Sequence, residues 1–155
     1  MKSVYYYSTV LGKIAIADNG EAVTNLFFCG EETPQAANVK ETALLKEAAS
    51  QLKEYLAGKR KKFGVPLAPE GTPFQQAVWN ALKDIPYGET RSYGQIAESI
   101  GKPRACRAVG MANNKNPMAI FVPCHRVIGA NGKLTGYAGG LDIKEKLLAL
   151  EKGNT

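Results

Sequence analysis

The segment Phe121-Val122-Pro123-Cys124-His125-Arg126-Val127 sets a thiol beside the chain's single histidine, with a guanidinium next in line. A thiolate is a strong nucleophile, and cationic neighbours favour it over the thiol. Three fates are open to Cys124: reactive nucleophile, metal ligand, or small buried apolar residue. Metal binding calls for several closely spaced Cys and His ligands, and one histidine with Cys29 and Cys106 far off in sequence supplies no such set. A position after a proline, at the end of an apolar run and next to an imidazole and Arg126, favours the reactive thiol. Successive side chains of an extended segment point to opposite sides, so His125 reaches the sulfur only if the chain turns there or a water bridges them. A carboxylate on the last helix could orient the imidazole; Glu151 is a candidate, but spacing does not choose it over Glu145 or Asp142.

A second stretch with chemical content runs from Arg104 to Asn113. Its surface is mostly Ala and Gly, with Arg104 and Arg107 three apart on one helical face. Reading a major groove takes long polar side chains aimed at base edges, which this helix lacks. Small side chains let a helix backbone come close to a confined surface, and one protruding arginine can enter a base stack. That combination suits minor-groove binding with a nucleotide turned out of the duplex. An Ala-rich helix packed in a core with Arg107 outside fits the composition equally well.

These residues need elements to hold them. The first thirty residues read as strands, Val4 to Thr9, Ile14 to Ala17 and Val23 to Phe28, broken by Leu11-Gly12 and Asp18-Asn19-Gly20. A small antiparallel sheet follows, covered by an amphipathic helix from about Asn38 to Ala57 that repeats Leu44, Leu45, Ala48, Leu52, Tyr55 and Leu56 at helical spacing. Pro66 and Pro69 mark a connector, which sets a boundary near residue 70 between a small α/β domain (1–70) and a mostly helical one (71–155). In the second domain Thr72-Pro73-Phe74-Gln75 is a capping box opening a helix to about Ile85. Ser92-Tyr93-Gly94-Gln95 repeats that logic for a short helix, Gly101 supplies a left-handed exit, and Pro103 opens the next helix to about Asn113. Helix, tight turn and helix make a helix-turn-helix. A short apolar strand, Ala119 to Val122, is expected to lead into Cys124. A glycine-rich loop, Gly136 to Gly140, precedes a last helix, Leu141 to Lys152. The fold class is α+β.

With 45% apolar residues in 155, the chain is a globular protein rather than a disordered one, and no apolar run is long enough to span a bilayer. An odd, scattered set of cysteines excludes a disulfide framework, and MKSVYYYSTV lacks the features of a signal peptide, so a cytoplasmic location is expected. The net charge of +6 favours an anionic partner. The cluster Lys59-Arg60-Lys61-Lys62 reads as a solvated helix end.

Pro-Cys-His-Arg-Val, Arg-Ala-Val-Gly, Asn-Pro, Ser-Tyr-Gly-Gln-Ile-Ala and Tyr-Ala-Gly-Gly occur together between Thr72 and Glu151. Over that span the chain resembles the O6-alkylguanine-DNA alkyltransferases, also called methylated-DNA–protein-cysteine methyltransferases. The resemblance implies DNA repair by direct transfer: Cys124 takes the alkyl group from O6 of guanine, less efficiently from O4 of thymine, and keeps it. Each molecule acts once, as a single-turnover methyltransferase. By the same resemblance Glu151 and His125, with a water, deprotonate Cys124, Tyr93 lies by the purine and presses on the adjacent phosphate, and Asn116 fixes the turn holding the cysteine. Arg107 fills the gap left by the turned-out nucleotide, and Arg104, Ala108, Gly110, Asn113 and Arg126 also lie along DNA. Cys124, Val127, Tyr137 and Ala138 hold the base, and Ala138, serine in some relatives, leaves room for bulkier alkyl groups. No cofactor is implied, because the damaged DNA is itself the methyl donor. No metal is implied either: some relatives hold zinc near the amino terminus, where this chain has only Cys29 and no histidine. The partner is double-stranded DNA containing O6-alkylguanine, bound by a monomer. A damage-sensing module without chemistry and a cysteine hydrolase are the competing readings; the first predicts an unmodified Cys124, and the second gives Arg107 no role.

Overall fold

Strand-forming residues and tight turns build the amino-terminal part of the computed structural model, which describes residues 2–28, 38–132, 137 and 140–154. The chain divides into two compact units, Met1–Pro69 and Glu70–Thr155. In the first, β1 (Ser3–Thr9) and β2 (Gly12–Asp18) pair antiparallel across a turn that needs Gly12 at φ +98°. β3 (Val23–Phe27) adds to the other side of β2. The sheet is mixed rather than wholly antiparallel, because β4 (Asn38–Val39) joins β1 in parallel and gives the order β3-β2-β1-β4. Residues expected to open the helix are thus in a strand, and α1 (Ala43–Leu56) starts later. The start is fixed by Thr42, whose hydroxyl accepts from Leu45 N and donates to Asp18 Oδ2 at 2.6 Å. Leu45, Ala48, Ala49, Leu52 and Tyr55 form the face that α1 buries against the sheet.

The second unit follows its capping signals. α2 (Pro73–Lys83) opens on the reciprocal Thr72–Gln75 box, and α3 (Tyr93–Ser99) on Ser92–Gln95. Gly101, at φ +76°, turns the chain into α4 (Cys106–Asn114), which packs against α2 and α3. Pro103 and Arg104 lie in the turn rather than in the helix, and Ala105 caps α4 without a side-chain hydrogen bond. Trp79, fully buried on α2, donates its indole N–H to Ala112 O at 2.9 Å and ties α2 to α4.

The strand expected before the cysteine is absent. Ala119 and Val122 share one isolated bridge around a turn in which Ile120 takes φ +76°, a region that a β-branched side chain occupies at a cost of about 1–3 kcal/mol. A 3₁₀ turn, Cys124–Arg126, comes next, and the strand follows it: β6 (Val127–Ile128) pairs in parallel with β5 (Arg91–Ser92). α5 (Leu141–Gly153) completes the unit, burying Lys144, Leu147 and Glu151. Among the described residues no helix is long and apolar enough to cross a membrane.

Candidate active site

Asn116 holds the turn from which the cysteine projects. Its Nδ2 donates to Val122 O at 2.9 Å and its Oδ1 accepts from Met118 N at 3.0 Å, so one buried amide fixes both arms around Ile120. The same side chain hydrogen-bonds the Cys124 sulfur. Cys124 is 3% exposed, and burial pushes its thiol up to about 11; the Asn116 bond, the charge of Lys144 and the Tyr137 hydroxyl all pull the other way. The resting thiol is therefore protonated at neutral pH, and attack requires a base.

A base stands next to it in the chain. The 3₁₀ turn removes the objection that neighbouring side chains of an extended segment diverge. His125 is fully buried, with Nε2 at 2.6 Å from Glu151 Oε2. Burial pushes His125 below its ordinary value while the Glu151 carboxylate pulls it up. Of the three acids left open by spacing, the geometry selects Glu151. That carboxylate is saturated: Arg126 donates Nε to Oε1 at 2.8 Å and Nη2 to Oε2 at 2.9 Å, and Gly88 N–H reaches Oε1 at 3.2 Å. Gly88 takes φ +82°, a backbone conformation that glycine adopts without steric cost.

Arg126 has a different place from the one expected. Its guanidinium is turned inward, holding Glu151 with one edge and donating Nη1 to Ile85 O at 2.8 Å, and only 7% of the residue is exposed. A phosphate contact would require breaking this buried pair. Lys144 is the residue that the sequence reading missed. It is fully buried, donates Nζ to Val127 O at 2.6 Å, and carries the charge felt by the Cys124 sulfur. Its signal was present: Lys144, Leu147 and Glu151 fall at i, i+3 and i+7 on one face of α5, yet a charge is normally assigned to the outside.

The remaining expected residues divide by face. Arg104 is exposed in the turn before α4, and Cys106, Arg107 and Ala108 are exposed in the first turn of α4. Tyr93, at the start of α3, is half-buried with its ring lying beside Gly110 of α4. Asn113 is buried, with Nδ2 toward Cys124 O at 3.4 Å. Val127 is buried and presents its carbonyl to Lys144. Ala138 lies outside the described residues, as does Cys29. Among the described residues no group of three His, Cys, Asp or Glu side chains could hold a metal ion.

Arginines presented by a helix-turn-helix, in one unit with a cysteine, histidine and carboxylate centre, define a nucleophilic-thiol protein built on a DNA-binding scaffold. Comparison with known sequences makes this specific: the chain belongs to the 6-O-methylguanine DNA methyltransferase family, matching the profile of its DNA-binding domain over residues 73–153 and that of its ribonuclease-like domain over 4–69. The methylated-DNA–protein-cysteine methyltransferase of Methanosarcina acetivorans is 56% identical over 153 residues, covering 96% of this chain and 98% of the relative. The constitutive enzyme of that name from Bacillus subtilis is 53% identical, covering 95% of each. The crystal structure of Mycobacterium tuberculosis OGT in complex with DNA superposes with a TM-score of 0.93 at 48% identity, covering 99% of this chain and 94% of that one.

Proposed function

We propose that this chain repairs DNA by moving the alkyl group of O6-alkylguanine onto Cys124 Sγ. The observation that carries the reading is the buried Cys124–His125–Glu151 centre, set in the same unit as a helix-turn-helix whose α4 exposes Arg107. The relatives' name supports the reaction, and the DNA complex of the mycobacterial protein supports DNA as partner.

In the step itself a sulfur–carbon bond forms as the carbon–O6 bond breaks. The bonding electrons leave on the guanine, which takes up a proton, and the thiol proton passes through a water to His125. A neutral imidazole is needed for this, and burial keeps His125 neutral at neutral pH. Glu151 fixes the imidazole and stabilises its charged form. Asn116 aims the sulfur, and Tyr93 lies by the purine, where its hydroxyl offsets charge on the departing base. Arg107 enters the stack vacated by the nucleotide, with Arg104, Ala108 and Gly110 along the minor groove. Val127 and Tyr137 line the base site. The thioether is not reversed, so one monomer removes one lesion, without cofactor; O4-alkylthymine is a slower substrate.

Incubation with an O6-methylguanine duplex tests this. The tryptic peptide Asn116 to Arg126 gains one methyl on Cys124, and Cys124→Ser abolishes the gain. A damage sensor would leave the peptide unchanged, and a hydrolase would leave the duplex methylated.

A further inference from the structure

The basic run that follows α1 and the groove beside it have no part in the chemistry above, and both belong to the first unit. The groove, of about 420 Å³, lies between the turn joining β1 to β2 and the carboxyl-terminal end of α1, and is lined by Ser8, Thr9, Val10, Lys53, Leu56 and Ala57. Its volume falls in the range of sites that bury small ligands or side chains. Val10 is 80% exposed, more than any other large apolar residue among the described ones. A lone exposed valine needs no explanation. This one is held out on a braced turn: Thr9 Oγ1 donates to Gly12 O at 2.8 Å and accepts from Leu11 N at 3.1 Å. With the half-buried Leu56 and with Ala57, it makes an apolar recess open to water.

The lining holds one cation and no acid. Lys53 is that cation; its Nζ stands 5.8 Å from the centroid of the Tyr7 ring, and it lies in the last turn of α1. Ala57, the last lining residue, caps α1, and the chain turns at Gly58, with φ +78°, directly into Lys59-Arg60-Lys61-Lys62. Arg60 and Glu54 neutralise each other at 3.0 Å, whereas Lys59, Lys61 and Lys62 are exposed. A helix C-terminus favours cations only within its last turn, where Lys53 already sits, so the dipole of α1 does not account for Lys61 and Lys62. A duplex backbone would answer these lysines and leave the apolar recess wet. A neutral apolar ligand would fill the recess and leave the lysines unanswered. A segment with apolar side chains on one face and carboxylates on the other answers both.

We propose that the groove between the β1–β2 turn and α1 is a docking site for an acidic amphipathic segment of another protein. Its apolar side chains pack on Val10, Leu56 and Ala57, and its carboxylates face Lys53, Lys59, Lys61 and Lys62. The Cys124 centre and α4 lie in the second unit and supply nothing to this site, so the inference goes beyond the alkyl-transfer reading and does not depend on it.

Fluorescence anisotropy of the full chain with labelled synthetic peptides tests the assignment. The first peptide presents Leu and Phe on one helical face and Asp and Glu on the other; a second has Lys in place of the acids, and a third has Ser in place of the apolar residues. The acidic amphipathic peptide binds saturably, and the other two bind about tenfold or more weakly. Val10→Asp, at a solvent-facing position, leaves the melting transition unchanged and alkyl transfer within about twofold, yet weakens the acidic peptide by about tenfold, as does Lys53→Glu. Replacing Lys61 and Lys62 together by Gln weakens it about threefold and lowers its dependence on salt. Failure of the acidic peptide to saturate, equal binding of the basic peptide, or unchanged affinity in Val10→Asp would each overturn the proposal. Displacement of the peptide by an undamaged duplex would assign the lysines to DNA, and a concentration-dependent dimer lost in Val10→Asp would assign the recess to a second copy of this chain; either result overturns it.

Discussion

At Cys124 and His125, burial and charge act in opposite senses, and this has consequences that can be titrated. The thiol, raised from 9.0 to about 11, contributes stability that is complete below 9.0 and lost as pH rises through about 11. The imidazole, lowered from 6.5, contributes stability that is complete above 6.5 and lost as pH falls below it. The melting midpoint is accordingly highest between 6.5 and 9.0, and Cys124→Ser flattens the alkaline fall while leaving the acid one. Lys144→Met removes the buried charge that pulls the thiol down; alkyl transfer at neutral pH slows about tenfold, one unit of thiol titration, and raising the pH recovers much of it. Glu151→Ala strands the buried Arg126 and His125 and costs about 3–5 kcal/mol in urea unfolding. Residue chemistry was legible at Cys124 and His125, where adjacent types carry the meaning, whereas the place of Asn116 came only from the family resemblance. Arg126 and Lys144 were misplaced or missed because long cations are assigned to the surface, and only the fold shows that a carboxylate and a backbone carbonyl wait for them inside.

The elements that place this chemistry were announced by their ends. Thr72–Gln75 and Ser92–Gln95 are local signals that satisfy orphan amides, so α2 and α3 begin where the sequence puts them. The start of α1 was harder to see, since it depends on Thr42 meeting Asp18 across twenty-four positions, and the partner of β4 is likewise remote. The supposed strand before Cys124 is a turn because Asn116 holds both its arms, an interaction that no apolar pattern reveals. Trp79→Phe cuts the tie between α2 and α4 and leaves Ala112 O only its 3.2 Å bond from Lys115 N, a loss of about 0.5–1.5 kcal/mol measurable by urea unfolding. On α4, Arg107→Ala slows repair in duplex DNA by about tenfold to a hundredfold, as a few kcal/mol of unstacking is no longer offset. The same variant reacts with free O6-methylguanine base within about twofold of the unaltered rate, because the base alone needs no extrusion.

For the whole molecule, a net charge of +6 and an exposed pair of arginines at α4 make DNA binding fall steeply with salt and little with sequence. A buried acceptor site also makes the product less stable than the reagent. Cys124 is 3% exposed, so a methyl group added to its sulfur crowds the buried surroundings by about 1–3 kcal/mol, and the methylated protein melts several degrees lower than the free one. The most direct test of the account is a titration of protein with excess duplex carrying a labelled O6-methyl group. Label bound to protein reaches a plateau at one methyl per molecule, all of it on Cys124; a plateau at zero, label on another residue, or continued release of methyl product beyond that ratio would contradict it.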